Sequence, residues 1–404
     1  MSFPACRHKN RRSVKQWAGG VRWLAAEPYR VFFASGILWS VMGVALWPMF
    51  YAHQLDYYPN LAHARLMIQA FGGAFVVGFL GTAGPRMATA PKLTPAELCW
   101  LFLLHQAGAV SHLGQRTALG DSLFLALLAS LVISLVVRVV RFRRDAPPPQ
   151  MLLALTGLLS GMVGTALLLA DWSLEAAWRL RLANLFLYQG LLLPPVLGIG
   201  SFVFPRLLGG GFGEPRSGSA ARIMAARAGL AAVLLVGSFV LEARGWVLAG
   251  YGVRVAVAAA YLAIEVRWRR QPDDGPRGSL TTGLYWSLGL GILGLSLPAF
   301  FYPQRVAIEH LLYIGGFGMV MLVVASRVLF GHSGDLAGFF ARRHWIHFLI
   351  FLGVLAAVTR VVPAWVPKIT VSHHIYAAVT WAALALLWLG WHGRRFLRRE
   401  EDDE

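Results

Sequence analysis

The stretch MLLALTGLLSGMVGTALLLA, residues 151–170, holds no charged residue and is long enough to cross a bilayer. A helix rises about 1.5 Å per residue, so about 20 apolar residues cover roughly 30 Å of hydrocarbon. Working outward from it, the same kind of stretch fills the chain almost end to end. Spans are read at 31–52, 61–83, 96–114, 119–139, 151–170, 183–204, 220–240, 246–265, 282–301, 309–330, 345–362 and 372–391. The second is the least uniform, because His63, Arg65 and Gln69 interrupt it. Hydrophobic residues make up 57% of the 404 positions and charged residues only 14%, which excludes an ordinary soluble domain. Only helices or closed barrels satisfy their backbone in lipid, and these runs are too long and too evenly apolar for barrel strands. The expected fold class is all-α, a polytopic membrane protein of about twelve transmembrane helices.

The net charge of +18 would suit a nucleic-acid partner if it formed one patch. It does not. Segments on the N-terminal side carry 28 of the 37 Lys and Arg and the opposite segments carry 7, with Arg65 and Arg254 inside spans. The positive-inside rule accounts for this without a polyanion, and it places both termini in the cytoplasm. The partner so implied is the lipid bilayer, with no nucleic acid. The first apolar run starts after thirty residues and is too long for a signal peptide, so it reads as a retained anchor. Residues 1–30 form a basic cytoplasmic segment. Its part 13–26, with Lys15, Trp17, Arg22 and Trp23, is either an interfacial helix or a plain basic tail. The transmembrane domain covers 31–392, and 393–404 is a charged cytoplasmic tail.

Three Gly-rich phrases close spans two, six and ten: GFLGTAGPRM (78–87), FVFPRLLGGGFG (202–213) and SRVLFGHSGD (326–335). They start 124 residues apart. This spacing suggests three pseudo-repeated units of four helices, although Gly and Arg also punctuate inner boundaries for ordinary reasons.

The histidines pose the functional question, because an imidazole at membrane depth is costly. His53, His63, His112, His310, His373 and His374 fall at one level near the outer ends of spans, and His105 lies below His112 on the same face. Neutral imidazole is a common ligand of haem iron and of copper, so this layer could hold either. Equally, each histidine taken singly could sit at an interface as Trp and Tyr do. His63 and His310 resist that reading most, since each stands in an otherwise apolar helical face. The pair is expected to be the axial ligand set of one haem, with His112 and either His373 or His374 as a second site, for copper if any is bound. Met67 lies one turn after His63 and could be a thioether ligand or core filler. Tyr313 and Tyr376 follow His310 and His373 by three residues and could hydrogen-bond a ligand. His332 lies among arginines at the inner side. Arg254, inside span eight, needs a partner that the sequence does not name. The spans are read as holding almost no carboxylate, with Glu265 at an inner end. That disfavours carboxylate-driven transport.

These same phrases carry a resemblance. EPYRVFF (27–33), HARLM (63–67) leading to GFLGTAGPRM, EHLLYIGGFG (309–318) leading to SRVLFGHSG (326–334), and SHHIYAAVTW (372–381) resemble the NnrS family over most of the chain. The resemblance implies a bacterial inner-membrane protein that binds haem and copper and is associated with nitric oxide and protection from nitrosative stress. It also implies that His63, His310 and His332 match family histidines. In span two the family pattern, as aligned, carries His-x-His followed by Glu. This chain has His63, Arg65 and Leu66 there, so one histidine and the acid are absent. The twelve-helix, three-unit layout is also similar in architecture to subunit I of haem–copper oxidases. Spans six and seven contain no histidine, however, which disfavours oxygen or nitric oxide reduction by the oxidase mechanism.

Three function classes follow. One is a haem-binding membrane redox protein of nitric oxide metabolism, served by a membrane or periplasmic electron donor. The second is a transporter or metal-trafficking protein with an outer histidine site. The third is a non-catalytic assembly factor. No Walker A, HExxH, GxSxG or dinucleotide fingerprint is present, so no soluble-enzyme chemistry is indicated.

Overall fold

A computed structural model describes residues 27–170, 176–208, 217–266, 268 and 278–397. The expected interfacial segment 13–26 and the acidic end 400–404 lie outside the described residues. Twelve helices follow in chain order: α1 Pro28–Tyr51, α2 Asn60–Met87, α3 Pro95–Leu113, α4 Thr117–Phe142, α5 Met151–Leu169, α6 Ala177–Leu207, α7 Gly218–Ala243, α8 Val247–Glu265, α9 Ser279–Ala299, α10 Tyr302–His332, α11 His344–Ala364 and α12 Pro367–Phe396. All are long and apolar enough to cross a membrane except α3, whose Glu97, His105, Gln106 and His112 dilute its apolar character. The chain is an all-α polytopic membrane protein, as its hydropathy pattern predicts. Helix α3 opens with a capping box in which Thr94 and Glu97 satisfy each other's end groups.

Successive helices pack as neighbours, and α12 returns to α1, so the bundle closes on itself. Helices α2, α6 and α10 occupy its middle. Their apolar stretches are 89%, 72% and 72% buried, against half or less for the other apolar spans. The same three helices each contain a π segment: Leu66–Gly72, Leu185–Gly190 and Leu311–Gly318. A π turn inserts one residue, swings the side chains before it relative to those after it, and is frequent at functional sites.

Further features recur with a four-helix period. Gly164 of α5 and Gly294 of α9 face the backbone at Leu187 and Leu312, inside the π segments of α6 and α10. The α3–α4 and α7–α8 turns share a left-handed residue, Gln115 and Gly245. On either side of these turns His112 packs on Gly120 and Glu242 on Gly250, at the same spacing. Small residues let membrane helices approach closely where lipid offers no hydrophobic drive to association.

Candidate functional site

Residues of α2, α6, α10 and α12, with the ends of α1, α4, α5 and α11, surround one cavity of about 1090 Å³ near one end of the bundle. That is the top of the range, about 300–1,000 Å³, in which organic ligands are held. His63 enters it from three residues before the π segment of α2, and His310 from the residue just before that of α10. Met67, Tyr313 and His374 share the same wall. Phe71, Phe317, Met321 and Trp381 make the deeper part apolar. Both expected ligands, the neighbouring thioether and the neighbouring phenol therefore converge on one space.

The ring orientations are set by backbone. His63 Nδ1 lies 2.9 Å from the carbonyl of Gly43, and His310 Nδ1 lies 2.7 Å from that of Val306. A carbonyl can only accept, so each Nδ1 must donate. The lone pair of the neutral imidazole is then left on Nε2, where a metal would be taken. His374 is turned by a 2.8 Å hydrogen bond between its Nδ1 and the Tyr51 hydroxyl. Trp47 bridges the group, with its ring 5.8 Å from that of His63 and 5.2 Å from that of His374. Tyr313 stands edge-on to His310 at 6.1 Å.

Other expected site residues lie elsewhere. His105 is saturated: its Nε2 donates to the carbonyl of Ala70 at 2.8 Å and its Nδ1 accepts from Gln106 at 2.9 Å. His112 is buried against Gly120 with its Nε2 on Gln69 Oε1 at 2.8 Å. His373 bonds the carbonyl of Ile369 and Ser372. The expected grouping of His112 with His373 or His374 is not assembled, and no three His, Cys, Asp or Glu side chains converge as a metal cluster among the described residues. The reason is that His112 projects into the α2–α3–α4 interface, while only His374 of the α12 pair turns toward the cavity. His332 stands at the far end of α10, roughly 33 Å from His310 at 1.5 Å per residue, in ring contact with Tyr29 and hydrogen-bonded to Arg86.

The expectation of spans almost free of carboxylate is corrected. Asp121, Glu242 and Glu309 are buried, and each meets arginine. Arg65 Nε donates to Asp121 at 2.9 Å and its Nη1 to the Tyr188 hydroxyl at 2.7 Å. Gln69 bridges Asp121 to His112. In a second cluster Arg254 donates to Glu242 and to Gln189, both at 2.8 Å. Arg181 pairs with Glu242 and, at 2.7 Å, with Glu309, which also accepts from Tyr251 at 2.6 Å. These acids stand within a turn or so of helix ends, where the linear pattern places them beside loops. Only the packing of α4, α7 and α10 buries them. With these acids present, two of them at the cavity wall, the composition of the spans no longer disfavours coupled transport.

Cavity residues that the sequence reading passed over are Trp47, Arg181, Glu309 and Arg360, with Tyr51 holding His374 from outside the lining. The adjacency of Glu309 to His310 was a legible signal. The others stand far away along the chain and gave none.

The sequence profile of the family described as NnrS protein matches residues 23–399. The chain belongs to the NnrS family. A search of the curated proteins finds no match. Arg65, which interrupts the apolar run of span two, has a structural role, because its guanidinium ties α2 to Asp121 of α4 and Tyr188 of α6 at the cavity wall.

Proposed function

We propose that this NnrS protein holds a haem in the cavity between α2 and α10, that His63 and His310 are the residues that would ligate it, and that it serves nitric oxide metabolism or protection from nitrosative stress. One observation carries the reading. Two imidazoles from different central helices line one porphyrin-sized cavity, each with Nδ1 committed to a backbone carbonyl. When bound, an iron porphyrin would supply one-electron redox chemistry and affinity for nitric oxide. The chain's own part is to fix both rings, to exclude water with Phe71, Phe317 and Trp381, and to present the Tyr313 hydroxyl beside His310. Copper is suggested both by the outer histidine layer and by the family resemblance, and His112 lies apart from His373 and His374.

The test is an optical spectrum of the purified protein with haem and metal analysis. A low-spin, two-imidazole spectrum is expected. His63→Ala and His310→Ala should each abolish it, while His53→Ala, at an exposed position outside the cavity, should leave it intact. A haem-free protein that accumulates metal in vesicles would instead favour the trafficking reading.

A further inference from the structure

Four arginines line the cavity: Arg65, Arg181, Arg305 and Arg360. Two are neutralised, Arg65 by Asp121 and Arg181 by Glu242 and Glu309. Arg305 lies over the Tyr302 ring and donates to the Tyr302 carbonyl, leaving its buried Nε without a partner. Arg360 differs from all of these. Among the described residues it makes no hydrogen bond and no ion pair, although it shares the wall with His63, His310 and His374 and lies within electrostatic range of all three. It stands in the last turn of the helix His344–Val361. The negative end of the helix dipole tolerates a cation there but uses none of the guanidinium's five N–H donors. Its side chain is half-buried, so a charged partner can reach it from the cavity it lines.

We infer that Arg360 binds a carboxylate presented from within the cavity. A guanidinium pairs with a carboxylate through two parallel N–H···O bonds, and no carboxylate of the chain fills that place among the described residues. Two sources share this chemistry: the carboxylate arms of the porphyrin itself, and a free small carboxylate. The first deepens the haem reading and rests on it, since it makes Arg360 the residue that fixes which edge of the macrocycle faces α11. The second stands without it.

Full-length protein in lipid nanodiscs, produced under haem limitation, is titrated with metal-free protoporphyrin and with its dimethyl ester, followed by porphyrin fluorescence. Neither probe needs an axial ligand, so an error in the His63–His310 assignment does not affect the result. The wild type is expected to prefer the free acid by about tenfold, the scale of one charge-assisted hydrogen bond. Arg360→Gln should bring the two affinities close together, and Arg360→Lys, which keeps the charge, should retain part of the preference. In parallel, formate binding is measured by calorimetry without porphyrin. Saturable formate binding that is lost in Arg360→Gln, with no preference between acid and ester, assigns the site to a free carboxylate. That result upholds the inference even if no porphyrin binds at all. The inference is overturned if wild-type protein binds acid and ester equally and shows no formate binding that depends on Arg360. It is equally overturned if an acid preference survives unchanged in Arg360→Gln.

Discussion

Arg65 and Asp121 show what a charged side chain needs inside this bundle. Both are about 3–4% exposed, and each is the other's counter-charge. Buried pairs gain little over apolar residues of the same volume, but breaking one partner costs about 3–5 kcal/mol, because a charge is left uncompensated. Asp121→Ala should therefore destabilise by about that amount in thermal unfolding, and Arg65→Met combined with Asp121→Leu should cost clearly less than the sum of the two single changes. Additive losses would mean that the two side chains act independently. At the other end of the molecule Asp335 is held by Arg395 at 3.0 Å, by Arg343 at 3.2 Å and by the Gly338 amide at 3.1 Å. Burial pushes its carboxyl up, but the Arg395 hydrogen bond and the two guanidinium charges outweigh it and hold the carboxyl below the usual range. A depressed folded-state value adds stability above the unfolded carboxylate range, and that stability is lost as pH falls through the folded value. In thermal unfolding followed against pH, Asp335→Asn should lose most stability at neutral pH, where the carboxylate contributes fully, and should converge on the wild type below about pH 4, so the acid side of its profile is flatter.

Among the elements, the π segments of α2, α6 and α10 have the clearest consequences; a fourth, Arg138–Phe142, ends α4 away from the cavity. Each of the first three falls at the depth of a cavity-facing or network-forming residue: His63 and Gln69 on α2, Tyr188 and Gln189 on α6, His310 and Tyr313 on α10. The inserted residue lets one helix aim groups at both the cavity and the ion-pair clusters, which regular 3.6-residue spacing would put out of phase. The partner helices come close enough to support this because Gly164 and Gly294 face backbone rather than movable side chains. Gly164→Ala or Gly294→Ala must push whole helices apart, so each should lower stability by about 1–3 kcal/mol in thermal unfolding. Gly237→Ala on α7, where an added Cβ meets nothing within 4 Å, should be neutral or stabilising by a few tenths to about 1 kcal/mol. Equal effects at all three positions would remove close approach as the reason for the glycines.

For the whole molecule, orientation follows from twelve crossings and the charge asymmetry. Twelve crossings would put both ends on one side, and the charge asymmetry of 28 against 7 predicts that side to be the cytoplasm. A reporter fused after Glu404 should be active only in the cytoplasm. One inserted in the α1–α2 connection, near Asp56, should be active only outside. Periplasmic activity at the C-terminus would remove one span, and the weakly apolar α3 is then the first to doubt.

Span number, helix identity and sidedness are set by sums over local stretches of sequence. Hydropathy adds along 20 residues and charge adds along a loop, so the chain 151–170 could be read as a crossing without knowing its neighbours. His63 and His310 could likewise be singled out, because each interrupts an apolar face. The tertiary structure decided which polar residues meet. It set His112 against Gln69 rather than beside His373, answered Arg254 with Glu242, buried Asp121 and Glu309, and brought Arg360 to the cavity wall. Convergence of this kind depends on the rotation of each helix about its axis. That rotation is set by the π segments and by glycine contacts between helices far apart in the chain, so it leaves no trace in a local sum.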